Sequence, residues 1–333
     1  MLNFLKNWTL PVAMLTGVLG YLMFANFTFL EPTKPFMNTL IAYLTPLLIF
    51  GQLLLTFCKV DWRELMPSPW HGWLLLFQIV SSCALAALLI FVPMGGSYRE
   101  VFEAAMVCLI CPTATAAAVI TGKLGGSASS LTTYTLLSNI LAAVAVPLIF
   151  PLVEPHTDVT FFTAFLKILS KVFPLLLFPF FLALFFRYCL PKIHHFLLGF
   201  HDLAFYMWGM ALAIVTAQTV KSLAHSTIPV EVEILIALAG FITCALQFFL
   251  GKRIGTIYKD RISAGQALGQ KNTVLAIWMS YTYLDPVSSV GPGSYVLWQN
   301  IFNSWQLWKK RKNEAMSEVS RSRVEHGDKE LLR

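Results

Sequence analysis

The chain has 333 residues, 57% of them hydrophobic and only 12% charged, and its mean hydropathy is +0.68. That balance excludes an ordinary water-soluble globule, which would neither need so much apolar surface nor be able to solvate it. The net charge of +7 does not read as a nucleic-acid surface, because the lysines and arginines sit between apolar runs and in the C-terminal tail. The runs are about 20 residues long, and at roughly 1.5 Å per residue each covers a hydrocarbon layer of about 30 Å. The expected class is an all-α polytopic membrane protein whose surroundings are the lipid bilayer.

In chain order the runs predict ten spans, at 9–29, 37–58, 70–93, 101–123, 127–152, 160–188, 203–224, 231–251, 262–283 and 291–308. Turn signals separate them, among them Glu31-Pro32-Thr33, Pro67-Ser68-Pro69, Gly95-Gly96-Ser97, Glu154-Pro155-His156 and Asp285-Pro286. The first run is longer than a signal-peptide core, and Met23-Phe24-Ala25-Asn26 is a poor cleavage site, so it is expected to be retained. Residues 1–308 read as one transmembrane domain, with halves at 9–152 and 160–308, and residues 309–333 as a basic tail.

Charge asymmetry orients the bundle. With the N-terminus in the cytoplasm, eighteen basic residues fall on the cytoplasmic side and three, Lys34, Arg99 and Lys221, on the other. Both termini are therefore expected in the cytoplasm of a cell (inner or plasma) membrane. Trp305 and Trp308, followed by Lys309-Lys310-Arg311-Lys312, anchor the last span at the interface. The tail beyond is expected to be solvated or to rest on anionic headgroups. Lys167 and Lys171, in the first turns of the sixth span, are expected to snorkel outward. Lys271, midway along 262–283, cannot. With the 17 acidic residues in loops, tail or span ends, it is the one ionisable acid–base group predicted near the bilayer centre.

Six cysteines, mostly inside apolar runs, do not form a secreted disulfide framework, and the Cys108-x-x-Cys111 pair reads as buried small thiols of an apolar helix. Histidines fall near span ends or outside spans, with no helical pair spaced for a metal. No nucleophile–base pair or nucleotide loop suggests an enzyme, and no cofactor is expected.

Two spans differ from the rest. The fourth carries Cys111-Pro112-Thr113-Ala114-Thr115-Ala116-Ala117-Ala118, a proline that frees backbone carbonyls followed by small residues that let another helix approach. The ninth is polar through its centre, at Gln266-Ala267-Leu268-Gly269-Gln270-Lys271-Asn272-Thr273. Fourth and ninth of ten are matching positions in two halves of five, and an odd number of spans per half inverts the second half. Interrupted or polar helices in that arrangement point to a binding site at the midplane. The plainer reading is close helix packing by small and polar residues.

At these residues the chain resembles the bile acid:sodium symporter family, within the bile/arsenite/riboflavin transporter group. Cys111-Pro112 and Thr115-Ala116 match its fourth helix, Gly269 and Asn272-Thr273 its ninth, Gln78 its third, and Trp298-Gln299-Asn300 resembles the Trp-His-Asn of its last. The resemblance implies ten helices in two inverted five-helix repeats, a panel and a core domain, and helices four and nine broken and crossing in the core. It implies transport of organic anions, including bile acids and small carboxylates, usually with sodium.

The departures bear on the ion. The family's Ser-Asn sodium ligands fall on Ala117 and Ala118, its ninth-helix glutamate on Ala267, and its glutamine before Asn272 on Lys271. What is left of a ligand shell is Gln78, Thr135, Gln266 and Gln270. A sodium ion beside an ammonium would be repelled by several kcal/mol at ~4 Å in a poorly polar interior. The expectation is that the Lys271 ammonium replaces the sodium ion, lying against Gln78 and the carbonyls freed at the crossing. Transport would then be sodium-independent, or coupled to protons through Lys271. A cationic centre and half-helix N-termini favour an anionic substrate group. Thr115 and Asn272 are expected to contact it, with Thr113 and Thr273 beside them. Thr132, Thr135 and Asn139, spaced i, i+3, i+7, offer a further polar face from the fifth span, or simply pack it. A second reading is metalloid efflux through Cys111, and a third is a non-transporting sensor or scaffold that has lost its sodium ligands.

Overall fold

The computed structural model describes residues 2–61, 63, 65–94, 98–155, 160–200 and 202–331, with side chains from 11 to 313. Gly95-Gly96-Ser97 and His156, read above as parts of turns, lie outside the described residues. The fold is all-helical. The helices are α1 (Leu2–Asn26), α2 (Lys34–Cys58), α3 (Pro69–Phe91), α4 (Arg99–Ile110), α5 (Ala117–Leu124), α6 (Ala128–Val153) and α7 (Phe161–Cys189). They continue as α8 (Pro191–Leu198), α9 (Leu203–Ala224), α10 (Val230–Ile257), α11 (Arg261–Gly269), α12 (Thr273–Tyr283) and α13 (Val290–Leu331). Short 3-10 turns at Thr28–Thr33 and Pro286–Ser289 join α1 to α2 and α12 to α13.

Local chemistry sets the boundaries. Pro69 opens α3 behind Ser68, whose backbone N–H donates to His71 Nδ1 at 3.0 Å. Ser127 caps α6 by accepting from the Ser130 N–H at 3.1 Å. α5 stops at Gly125, whose φ of 91° is left-handed and suits a residue without a Cβ.

Among the described residues, six helical segments are long and apolar enough to cross a membrane: Thr28–Cys58, Pro69–Phe91, Ala128–Val153, Phe161–Cys189, Leu203–Ala224 and Val230–Ile257. The chain is thus a polytopic membrane protein. α1 adds a shorter apolar stretch, Pro11–Asn26. The fourth and ninth runs do not appear as single helices, because each is broken into two.

The burial pattern fits lipid surroundings. Large apolar side chains such as Phe91, Leu47, Phe178, Ile234 and Phe249 face outward, while Gln78, Asn139, Gln247, Gln266 and Lys271 are buried. α1, α2, α7 and α9 pack on one another, and α10 packs on α4, α11 and α13. α6 against α7 and α12 against α9 join the two groups. Arginines tie the ends. Arg99 pairs with Glu103 at 3.1 Å and Glu154 at 3.6 Å, and donates to the Leu89 and Val153 carbonyls. Arg187 pairs with Asp61 at 3.3 Å and donates to the Val60 carbonyl at 2.8 Å.

Two regions depart from the sequence expectation. Residues 191–198, read as a loop, form α8, with Pro191 at its first turn. Residues after 308, read as a tail, continue α13 as helix to Leu331, giving 42 residues in all. No proline lies in that stretch, and its Glu, Lys, Arg, Ala and Met residues are strong helix formers. Lys309 and Lys312 lie over the Trp305 and Trp308 rings, each 5.3 Å from the centroid, and Lys310 Nζ donates to the Lys123 carbonyl at 2.9 Å.

Close packing of α10 on α11 depends on Gly251, where a Cβ would sit 2.5 Å from the Ala264 carbonyl oxygen, whereas nothing lies within 4 Å of a Cβ at Gly20. Gly251→Leu is expected to lower the melting temperature of the purified protein, at a cost of about 1–3 kcal/mol. Gly20→Ala should leave it unchanged or slightly raised.

Candidate functional site

Pro112 has no N–H to give the Cys108 carbonyl, and beyond Ile110 the fourth run leaves the helix, with Cys111 at φ −58° and ψ 136°. The ninth leaves it after Gly269, with Gln270 at φ −97° and ψ 105°. The two extended stretches meet as a short antiparallel bridge between Thr113 and Lys271. Ala114 N–H donates to the Gln270 carbonyl and Asn272 N–H to the Pro112 carbonyl, both at 2.9 Å.

A break inside a membrane strands backbone groups that no water can satisfy, so each needs a partner. Side chains from other helices supply most of them. The Cys108 carbonyl accepts from Gln247 Nε2 at 3.1 Å. Gln78 Nε2 donates to the Ile110 and Cys111 carbonyls at 2.7 and 3.2 Å, while Gln78 Oε1 accepts from the Tyr134 hydroxyl at 3.2 Å. Thr113 N–H donates to Ser138 Oγ at 2.8 Å. On the ninth run, the Ala267 carbonyl accepts from Thr113 Oγ1 at 2.6 Å and the Gly269 carbonyl from the Tyr295 hydroxyl at 2.9 Å. Lys271 N–H donates to Gln299 Oε1 at 2.9 Å.

The Leu109 carbonyl is taken by Lys271. Its Nζ donates to that oxygen at 3.3 Å, and the residue is 1% exposed. Among the described residues no carboxylate pairs with the ammonium. It meets instead the carbonyl end of α4, where the helix dipole is negative.

The structure brings together part of the expected site. Thr113, Lys271, Asn272 and Thr273 meet at the bridge, with Gln78 on the adjoining carbonyls. Asn272 Oδ1 caps α12 by accepting from Leu275 N–H at 3.3 Å, and Thr115 is half-buried on the turn before α5. Thr135 and Thr132 donate to the Leu131 and Ala128 carbonyls of their own helix. Gln270 donates to Gln266, which donates to Gln306 at 3.4 Å. Gln78 and Thr135 thus bond to different elements, while Gln266 and Gln270 bond to each other. Asn139 is fully buried, with neither side-chain polar atom partnered. The Cys111 thiol is buried and donates to the Asn272 carbonyl at 3.1 Å. Gln299, part of the Trp298-Gln299-Asn300 motif, joins the network, as do Ser138, Tyr134, Gln247 and Tyr295, which sequence reasoning missed although a polar residue inside an apolar run, as at Ala245-Leu246-Gln247-Phe248, was the available signal.

Away from the bridge lies a cavity of about 1250 Å³ between α1, α2, α7, α9 and α12. Its apolar wall includes Phe24, Ile41, Phe50, Pro174, Ile214 and Trp278, and its polar residues include Lys34, Lys171, Gln218, Lys221 and His225. Lys171, expected to snorkel outward, lines this cavity. Thr113, Thr115, Asn272 and Thr273 do not line it. α12 spans the distance, capped at one end by Asn272 and presenting Trp278, Tyr281 and Thr282 to the cavity near the other.

No protein-family model matches the chain. It is similar to a Bacillus subtilis (strain 168) protein named "Uncharacterized sodium-dependent transporter YocS", with 24% identity over 311 residues, 91% of this chain and 92% of that protein.

Gln78→Leu and Ser138→Ala each strand buried backbone groups of the bridge. Each is expected to destabilise the protein by about 1–3 kcal/mol in thermal unfolding. Thr132→Ala, which removes only a hydroxyl bonded to its own helix, should not.

Proposed function

We propose that the protein is a secondary transporter that moves a small organic anion by alternating access, with the Lys271 ammonium standing where a relative of this fold would hold a sodium ion. In this reading the chain has ten spans in two inverted halves of five, α4/α5 and α11/α12 are the broken fourth and ninth, and both termini are cytoplasmic. Support for transport comes from the full-length similarity to a protein named as a sodium-dependent transporter and from the large cavity against α12. The observation that carries the cation replacement is the Lys271 Nζ on the Leu109 carbonyl. A charge is held at the broken-helix crossing by a covalent stem, and Ala117, Ala118 and Ala267 offer no oxygen where the sodium ligands are expected. The positive-inside rule assigns the cavity mouth, which carries Lys34 and Lys221, to the outside.

The metalloid reading has less support, because the Cys111 thiol is buried and committed to the Asn272 carbonyl. A silent scaffold on the same fold is distinguished by uptake alone.

Uptake of a panel of labelled carboxylates into proteoliposomes, with sodium and proton gradients imposed separately, tests the proposal. Wild-type uptake is expected to persist when choline replaces sodium. Lys271→Met and Lys271→Gln should reduce it about tenfold or more, in keeping with the roughly 1.5–3 kcal/mol of a hydrogen bond to a charged group. Wild-type rates and unchanged ion dependence in both variants would overturn the assignment of Lys271.

A further inference from the structure

The charges lining the cavity are of one sign. Among the described residues its lining includes Lys34, Lys171, Lys221 and His225, and no Asp or Glu. Lys34 is offset by Glu31 at 3.4 Å. The His225 ring lies edge-on to Tyr21, and its Nδ1 is 3.0 Å from the Lys221 carbonyl. Lys171 on α7 and Lys221 on α9 are exposed, and neither has an acidic partner among the described residues. The remaining wall is largely apolar, from Phe50, Pro174, Ile214 and Trp278.

We infer that Lys171 and Lys221 are the anion-binding mouth of this cavity, and that its ligand is an amphipathic anion held with its charged group at these lysines and its apolar body inward against Trp278. Two exposed cations above an apolar wall match a molecule with one charged end. The buried Lys271 does not touch the ligand, because its ammonium is committed to the Leu109 carbonyl and it does not line the cavity. The anionic group therefore sits at the mouth, away from the helix crossing. As a substrate site this rests on the transport reading above; as a binding site it is tested without transport.

The test is calorimetric titration of the full chain in phosphatidylcholine nanodiscs with naphthalenesulfonate and with neutral naphthalenemethanol, which carries a similar aromatic body. The sulfonate should bind more tightly, and added salt should erode its advantage. Lys171→Gln and Lys221→Gln should each weaken sulfonate binding about threefold, and the double variant about tenfold, with the alcohol unaffected. The paired Lys→Arg variant should retain the preference. Wild-type sulfonate binding in the double Gln variant overturns the inference, as does a parallel loss for the alcohol. Abolition of sulfonate binding by phosphatidylglycerol in the discs would make a lipid headgroup the occupant and also overturn it. If no carboxylate is taken up while lysine-dependent sulfonate binding persists, the transport reading fails and this one stands.

Discussion

The structure turns on one constraint, that a backbone broken in a buried interior must find partners for the groups it strands. Pro112 and the Gln270-Lys271-Asn272 stretch interrupt two helices at the same place, and the interruptions answer each other. Thr113 gives its hydroxyl to the Ala267 carbonyl while Lys271 gives its ammonium to the Leu109 carbonyl, so each broken segment pairs the free end of the other. Gln78, Ser138, Gln247, Tyr295 and Gln299 close most of the remaining gaps from four further helices. Gln78, Ser138, Gln247, Tyr295 and Gln299 are buried polar side chains that an apolar protein retains where the broken backbone needs partners.

The same constraint ties up much of the hydrogen-bonding capacity at the crossing. A side chain that already serves a stranded carbonyl has less capacity left for a ligand. Space for a ligand lies instead between the group of α1, α2, α7 and α9 and the wall formed by α12. A single short helix links the two, starting at the bridge and ending beside the cavity. Movement of α12 against α9 would therefore reach both places at once.

Much of this was legible in the sequence. The apolar runs mark the helices, Pro112 marks a break, and Lys271 stands out as a charge with no surface within reach. The identity of its partner was not legible, because Leu109 lies 162 residues away in the chain and contributes only a backbone atom. Ser138 and Tyr295 are polar or aromatic residues of ordinary helices until the bridge gives them a carbonyl or N–H to meet. The cavity was hidden for a related reason. It is assembled from five helices, and Lys171 and Lys221 looked like separate interfacial charges until folding put them in one lining. The basic tail after 308 was given no secondary structure in the sequence reading, although nothing in its composition stops a helix.

A cation carried on a side chain differs from a bound one in that it cannot be released. Sodium that enters with a substrate and leaves on the other side delivers the work stored in its gradient. If the Lys271 ammonium takes that place and keeps its proton through the cycle, it stays with the protein, on its carbonyl, and delivers none. A carrier built this way passes an anion uncompensated, so the membrane voltage acts on the cargo itself, at about 2.3 kcal/mol per charge for each 100 mV. With the cell interior negative, that force pushes the anion outward. Such a protein would run as an exit route, or as an entry route only where the outside supply of its substrate is large.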